Sequence, residues 1–390
     1  MNYRNIGLLT AGHLVTDINQ GALPAILPFL IAEHHLSYQA AASLVFALSM
    51  SSSIAQPLFG LYSDRMSKPW LIPIGVFLAG IGLSTLGLTS KYWLWFATVT
   101  LSGIGVAAFH PEGARLMNFV AGENKATAMS VFGIGGTLGI ALGPIFITSF
   151  LIRFGMEGTL ALAFPATVTA ILLVRKFAVL SSFSTHSTHT MSKISSLPDE
   201  WYPFLRLTGG VICRSIIFFA FNTFIPLYWI GVHKQSKAAG GVALTILLSA
   251  GVVGQFLGGR LADRYGDRTV IKLGFIWLIL ALSLFAMGPD VTVSTLLLIP
   301  IGIGVSMPYS PMVVLGQKYL PCRVALSSGI TLGLTVSAGG MIVPLLGRLA
   351  DGYGLGIIFW VIAGVPILAL FLTFGLPFPQ IDRKREASSS

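Results

Sequence analysis

Twelve runs of this sequence stay apolar for about the length of a membrane crossing, and few charges interrupt them. They fall approximately at 6–32, 38–62, 70–90, 92–117, 126–151, 156–178, 203–231, 240–261, 269–288, 291–317, 324–350 and 355–377. A transmembrane helix needs roughly 20 such residues. In lipid every backbone N–H and C=O must be satisfied internally, which leaves helices or closed barrels. Barrel strands are about ten residues long with alternating polarity, whereas these runs are long and continuously apolar. Only 10% of the residues are charged and 54% are hydrophobic, against about 25% charged in a soluble domain. The expected fold is an all-α membrane protein with twelve transmembrane helices. The first run is too long for the apolar core of a signal peptide, so no cleavable signal is expected.

The net charge of +10 raises the question of a nucleic-acid partner, and the distribution answers it. With the N-terminus inside, eighteen of the 24 Lys and Arg lie on the inner side and five on the outer; Arg214 is left within a segment. That asymmetry is the positive-inside rule, and it places both termini in the cytoplasm. No nucleic-acid partner is expected. Cys213 and Cys322 are the only cysteines, one in a helix and one at a helix start, which gives neither a disulfide framework nor a thiolate metal site.

Residues 179–200 are rich in Ser and Thr and read as a cytoplasmic linker. Its His186 and His189 read as solvated. The expected organisation is a six-helix half at 1–178, the linker at 179–200, and a second six-helix half at 201–390. The halves match at an offset of 199: "QPLFGLYSDR" from Gln56 with "QFLGGRLADR" from Gln255, "GIGV" at 103 and 302, and Gly155 with Gly354. Three matches at one offset argue for duplication. Parallel six-helix repeats with a site at their interface describe a common transporter architecture. "GRLADRYG" at 259 also recurs as "GRLADGYG" at 347, on the opposite side, as nested inverted repeats would place it.

"GLYSDRMSK" and "GRLADRYGDR" each join two helices across a tight turn. Gly60 and Gly259 allow close helix approach. Asp64 and Asp263 suit a helix N-terminus or the neighbouring Arg65 and Arg264. The two sets read as a latch that breaks when the halves rock. The G-x-x-x-D-R pattern resembles the loop motif of the major facilitator superfamily. "GHLVTDINQGALPAILPFL", "QPLFGLYSDRMSKPWLIPIG", "AFHPEGAR" and "LPCRVALSSGITLG" together resemble the fosmidomycin-resistance family of efflux transporters. The resemblance implies a proton:drug antiporter of the bacterial inner membrane acting on small amphipathic compounds, phosphonates among them. Segment five carries the Gly143–Pro144 of the antiporter motif without the two glycines that usually follow.

Asp17 lies about twelve residues into the first segment, roughly 18 Å deep. His13, Asp17 and Gln20 share one helix face, and a carboxylate there should line a cavity or a helix interface. Arg214 lies at similar depth in segment seven. Aligning Pro28 with Pro226, an offset of 198, sets Arg214 opposite Thr16. Asp17 and Arg214 are expected to face each other across a central cavity, where burial and a neighbouring charge act on the carboxyl in opposite senses. In "AFHPEGAR", His110 is expected to face the cavity with a titratable ring. Glu112 and Arg115 are expected to pair as a gate, or to supply a second carboxylate to the proton route. Asn222 and Tyr309 are further cavity candidates, and Arg214 suits an anionic head group. Gln56 and Gln255 are expected to bond across helices. The sequence around Glu33, His34 and His35 reads as a solvated rim.

No G-x-x-x-x-G-K loop is present, so ATP-driven pumping is not supported. No nucleophile–base set stands out, so no enzyme is expected. The expectation is a proton-coupled exporter of small drugs with no cofactor or metal. Its partners are a small-molecule substrate, protons and the lipid bilayer. The fold needs no second chain, so a monomer is expected. A metabolite, sugar or organic-anion transporter of the same fold is the alternative, followed by a non-transporting sensor.

Overall fold

The computed structural model describes residues 3–65, 68–120, 125–176, 198–321, 327, 330–331 and 335–380. The linker up to residue 197 with His186 and His189, Cys322, most of "LPCRVALSSGITLG", and the side chains of Gly60, Asp64 and Arg65 lie outside the described residues. Among the described residues the regular elements are all helical. They are α1 (Tyr3–His34), α2 (Tyr38–Arg65), α3 (Leu71–Ser84), α4 (Tyr92–Val120), α5 (Lys125–Phe154), α6 (Ala163–Arg175), α7 (Trp201–Gly231), α8 (Lys237–Tyr265), α9 (Asp267–Ala286), α10 (Val291–Ser306), α11 (Tyr309–Tyr319), α12 (Thr335–Tyr353) and α13 (Gly356–Phe374). Short 3₁₀ stretches, Thr85–Leu88 and Gly155–Leu162, continue α3 and precede α6. Nine described helical stretches are long and apolar enough to cross a membrane. Large apolar side chains such as Trp360, Phe371, Leu280 and Phe164 stay exposed, as a lipid-facing surface requires.

The expected tenth segment is two helices. Pro308 has no N–H to continue the ladder, so α10 stops at Ser306 and α11 starts at Tyr309. Pro24, Pro28, Pro111, Pro144 and Pro226 are instead carried within continuous helices, which membrane helices tolerate when neighbours re-satisfy the freed carbonyls. Asp290 caps α10 by accepting from the Thr292 and Val293 amides at 2.8 and 3.2 Å.

By packing, the chain forms one unit of Met1–His189 with Thr223–Thr245, and a second of Thr190–Asn222 with Ile246–Ser390. In the first, α1 packs most extensively on α5. The ends of α7 and α8 join this unit: the Lys237 ammonium lies 4.3 Å from the Phe29 ring centroid, and Gly241 abuts Thr148. In the second unit, α9 packs on α13.

Matched residues do matched work at the offset of 199. Gly155 and Gly354 both take positive φ, at 59° and 82°. Among the described residues, His35 and Lys234, one following α1 and the other α7, are the non-glycine residues with positive φ, at 53° and 55°. Gly103 of α4 presses on the Leu48 carbonyl of α2, and Gly302 of α10 presses on the Leu247 carbonyl of α8. Gly105 meets Ala79 where Gly304 meets Leu278. These pairs keep the offset of 199 between α2 and α8, α3 and α9, and α4 and α10, and in the corners that follow α1 and α7.

Candidate functional site

In α1 the polar side chains of His13, Asp17 and Gln20 recur on one face of the helix. In the structure that face is turned inward against α4 and α5. Asp17 is 4% exposed. Its Oδ1 accepts from Gln20 Nε2 at 2.8 Å and lies 3.1 Å from His110 Nε2; its Oδ2 lies 3.3 Å from His13 Nε2. The two imidazoles meet directly, Nε2 to Nε2, at 3.1 Å. His13 Nδ1 lies 2.7 Å from the carbonyl oxygen of Phe132 on α5, and the Phe132 ring stacks on the imidazole at a centroid distance of 4.1 Å.

These distances impose a proton count. A carbonyl has no proton, so His13 Nδ1 must donate to Phe132. A neutral His13 then carries a bare lone pair on Nε2, aimed at a carboxylate oxygen and at a second imidazole. His110 Nε2–H can serve Asp17 Oδ1 and lean toward His13, but the line from His13 Nε2 to Asp17 Oδ2 still needs a proton. The network closes when it holds one proton more than a carboxylate and two neutral imidazoles. The ligand-type atoms of this triad lie within 4.8 Å of one another, a spacing that also suits a small cation. His110 Nδ1 is enclosed without a hydrogen-bond partner, a costly arrangement.

Gly136 of α5 closes the triad on one side. A Cβ there would fall 2.5 Å from His13 Nε2 and 2.7 Å from Asp17 Oδ2. Gly139 and Gly143 press on the Leu14 and Ile18 carbonyls of α1 in the same way. Phe132 and Gly136 escaped the sequence reading, which weighed segment five against the antiporter motif. The signal was present as glycines spaced by three or four residues, the small-residue seam of a close helix pair.

Glu112 and Arg115 pair as their spacing predicts. Arg115 donates from Nε to Oε2 at 3.0 Å and from Nη2 to Oε1 at 2.8 Å, and the Glu112 side chain is fully enclosed. Removing the bidentate partner of an enclosed carboxylate is costly, so Arg115→Ala is expected to lose about 3–5 kcal/mol. Thermal unfolding in detergent checks this, with Arg115→Lys falling between the two.

Arg214 and Asp17 each have partners within their own unit. Arg214 Nε donates to the Val305 carbonyl at 2.8 Å, and its guanidinium carbon lies 4.4 Å from the Tyr309 ring centroid. Asn222 is buried and its Oδ1 has no partner. Gln56 bonds to Ser52 Oγ within its own helix at 2.9 Å. His34 packs on the Trp95 ring at 4.7 Å rather than standing free at a rim.

In the second loop, the close approach expected at Gly259 falls one residue earlier. Gly258 abuts the Met307 backbone, while no heavy atom lies within 4 Å of a Cβ built at Gly259. Asp263 and Arg264 are exposed. The described ion pair is Asp267 with Lys318, at 2.8 Å, joining α9 to α11.

The sequence profile of the Major Facilitator Superfamily matches residues 9–331 and 207–389. The chain belongs to the Major Facilitator Superfamily. As a superfamily member it is a multi-pass membrane transporter and not an enzyme. The uncharacterized MFS-type transporter YfnC of Bacillus subtilis (strain 168) is 29% identical over 380 residues, covering 94% of this chain and 91% of that protein. The fosmidomycin resistance protein of Escherichia coli (strain K12) is 26% identical over 384 residues, covering 95% and 92%. The crystal structure of a bacterial homolog of the human lysosomal transporter Spinster, inward-facing and occupied, superposes with a TM-score of 0.81. It shares 14% identity over 98% of both chains, a likeness of fold.

Proposed function

We propose that this transporter exports small organic molecules from the cytoplasm in exchange for protons, and that His13, Asp17 and His110 carry the proton. The observation behind this reading is the proton count of the triad. One buried carboxylate and two half-buried imidazoles, from two helices, close their hydrogen bonds only with one added proton. An intramembrane carboxylate held this way is a relay rather than a brace. Gln20 sets the rotamer of Asp17. Glu112 with Arg115 is the gate of the same half. Arg214, Asn222 and Tyr309 belong to the solute site. Gly60, Asp64 and Arg65, with Asp263 and Arg264, act as the latch between transport states. The protein works as a monomer in the bacterial inner membrane with both termini in the cytoplasm. Similarity to a fosmidomycin resistance protein makes fosmidomycin-like compounds the first solutes to try.

The test uses proteoliposomes with a pH dye inside and an imposed pH gradient. Addition of fosmidomycin is expected to drive proton movement opposite to the solute. Movement in the same direction as the solute would replace export by symport. Solute flux with no proton movement would remove the coupling.

A further inference from the structure

Arg214 is a permanent positive charge inside a membrane-crossing helix. It lies 13 residues beyond Trp201, about 20 Å along α7 at 1.5 Å per residue. The residue keeps 8% of its exposure. Its described contacts hold the group without neutralising it. Nε is tied to the Val305 carbonyl, in the last turn of α10 where helix carbonyls lack intrahelical partners. The guanidinium lies over the Tyr309 ring at 4.4 Å and the Phe218 ring at 5.4 Å. None of these contacts carries a negative charge.

The two Nη nitrogens have no described hydrogen bond. One nitrogen and the π-faces are fixed, and the fork with four N–H groups is left for a further partner. Lysine offers no such planar fork. A guanidinium without a counter-charge is costly inside a membrane protein.

We propose that Arg214 is the receptor for an oxyanion on the transported solute, a carboxylate, phosphonate or phosphate monoester on an apolar body. Two of its oxygens accept in parallel from the guanidinium edge, and Phe218 and Tyr309 supply apolar surface beside it. This rests on reading Arg214 as part of the solute site, and is independent of the proton role of the triad.

The experiment measures binding to the full-length protein in a detergent without phosphate groups. The probes are phenylphosphonate and benzoate, with neutral benzamide and cationic benzylamine as comparisons. The wild type is expected to hold the two anions roughly tenfold or more tighter than benzamide. Arg214→Lys keeps part of that preference and Arg214→Gln removes it. Arg153→Gln, which removes an exposed arginine outside the site, keeps it in full, and binding is read without a proton gradient, which separates this proposal from failure of the proton reading. Equal binding of anion and neutral probe by the wild type, or a preference that survives Arg214→Gln, overturns it. A second measurement needs no variant: phenylglyoxal labelling of the wild type, read at Arg214 by peptide mass spectrometry. Phenylphosphonate is expected to protect Arg214 while benzylamine does not. Labelling unaffected by the anion, or absent altogether, also overturns the proposal.

Discussion

Asp17→Asn is expected to reduce solute-driven proton movement to background while leaving the protein folded and able to bind solute. The reason lies in the hydrogen-bond count. Asn has nearly the shape of Asp, and its amide meets every demand of the pocket at once. Its NH₂ donates to the bare Nε2 of His13, and its oxygen accepts from Gln20 and His110, as Asp17 does at 2.8 and 3.1 Å. The network then closes without an added proton, so the variant imitates the loaded carboxyl permanently. Liposomes with an internal pH dye report the proton, and binding in detergent reports the solute. Solute-driven proton movement that survives in Asp17→Asn would move the proton site elsewhere, with Glu112 the next carboxylate to change. Loss of both proton movement and binding would show that Asp17 organises the pocket instead of carrying charge through it.

The sequence showed part of this site for a specific reason. Spacing along one helix is local information, so His13, Asp17 and Gln20 were visible as one face. Membrane burial is expensive for an imidazole, so His110 stood out by composition alone. Their meeting was not visible, because α1 and α4 are joined only by packing. The pairing of Glu112 with Arg115, three residues apart, was legible for the same local reason. The expected match of Asp17 with Arg214 rested on the spacing of two prolines, Pro28 and Pro226. The turns after α1 and α7 are a further mark of the repeat, at an offset of 199, because a non-glycine residue in the left-handed region marks a specific corner. Apolar runs gave the class of the helices, but hydropathy cannot register a break inside a greasy stretch. The tenth run therefore hid the stop at Pro308, and with it the Val305 carbonyl that receives Arg214.

Gly136→Leu is expected to abolish coupled transport, with a larger effect than any conservative change at the gate. The Leu Cβ alone would stand well inside van der Waals contact with His13 Nε2 and Asp17 Oδ2, and the remaining side-chain atoms would add to the clash. Either α5 moves off α1 or the triad comes apart. Movement of α5 is resisted along the seam, because Gly139 and Gly143 hold backbone against backbone at the next two turns. Displacing the triad is easier, so the proton site yields first. Overpacking costs typically about 1–3 kcal/mol, while replacing Gly within a helix returns about 1 kcal/mol of backbone entropy. The unfolding temperature should therefore fall modestly while proton coupling disappears. Gly136→Ala separates the two effects: it adds only the Cβ, and partial coupling is expected as the His13 ring shifts to make room. Gly133→Leu, on the same helix with no heavy atom within 4 Å of its Cβ position, is the control for a leucine that meets no neighbour there. Full coupling in Gly136→Leu would show that α5 does not close the triad during transport. Equal loss in Gly133→Leu would assign the effect to the helix as a whole and not to its contact with His13 and Asp17.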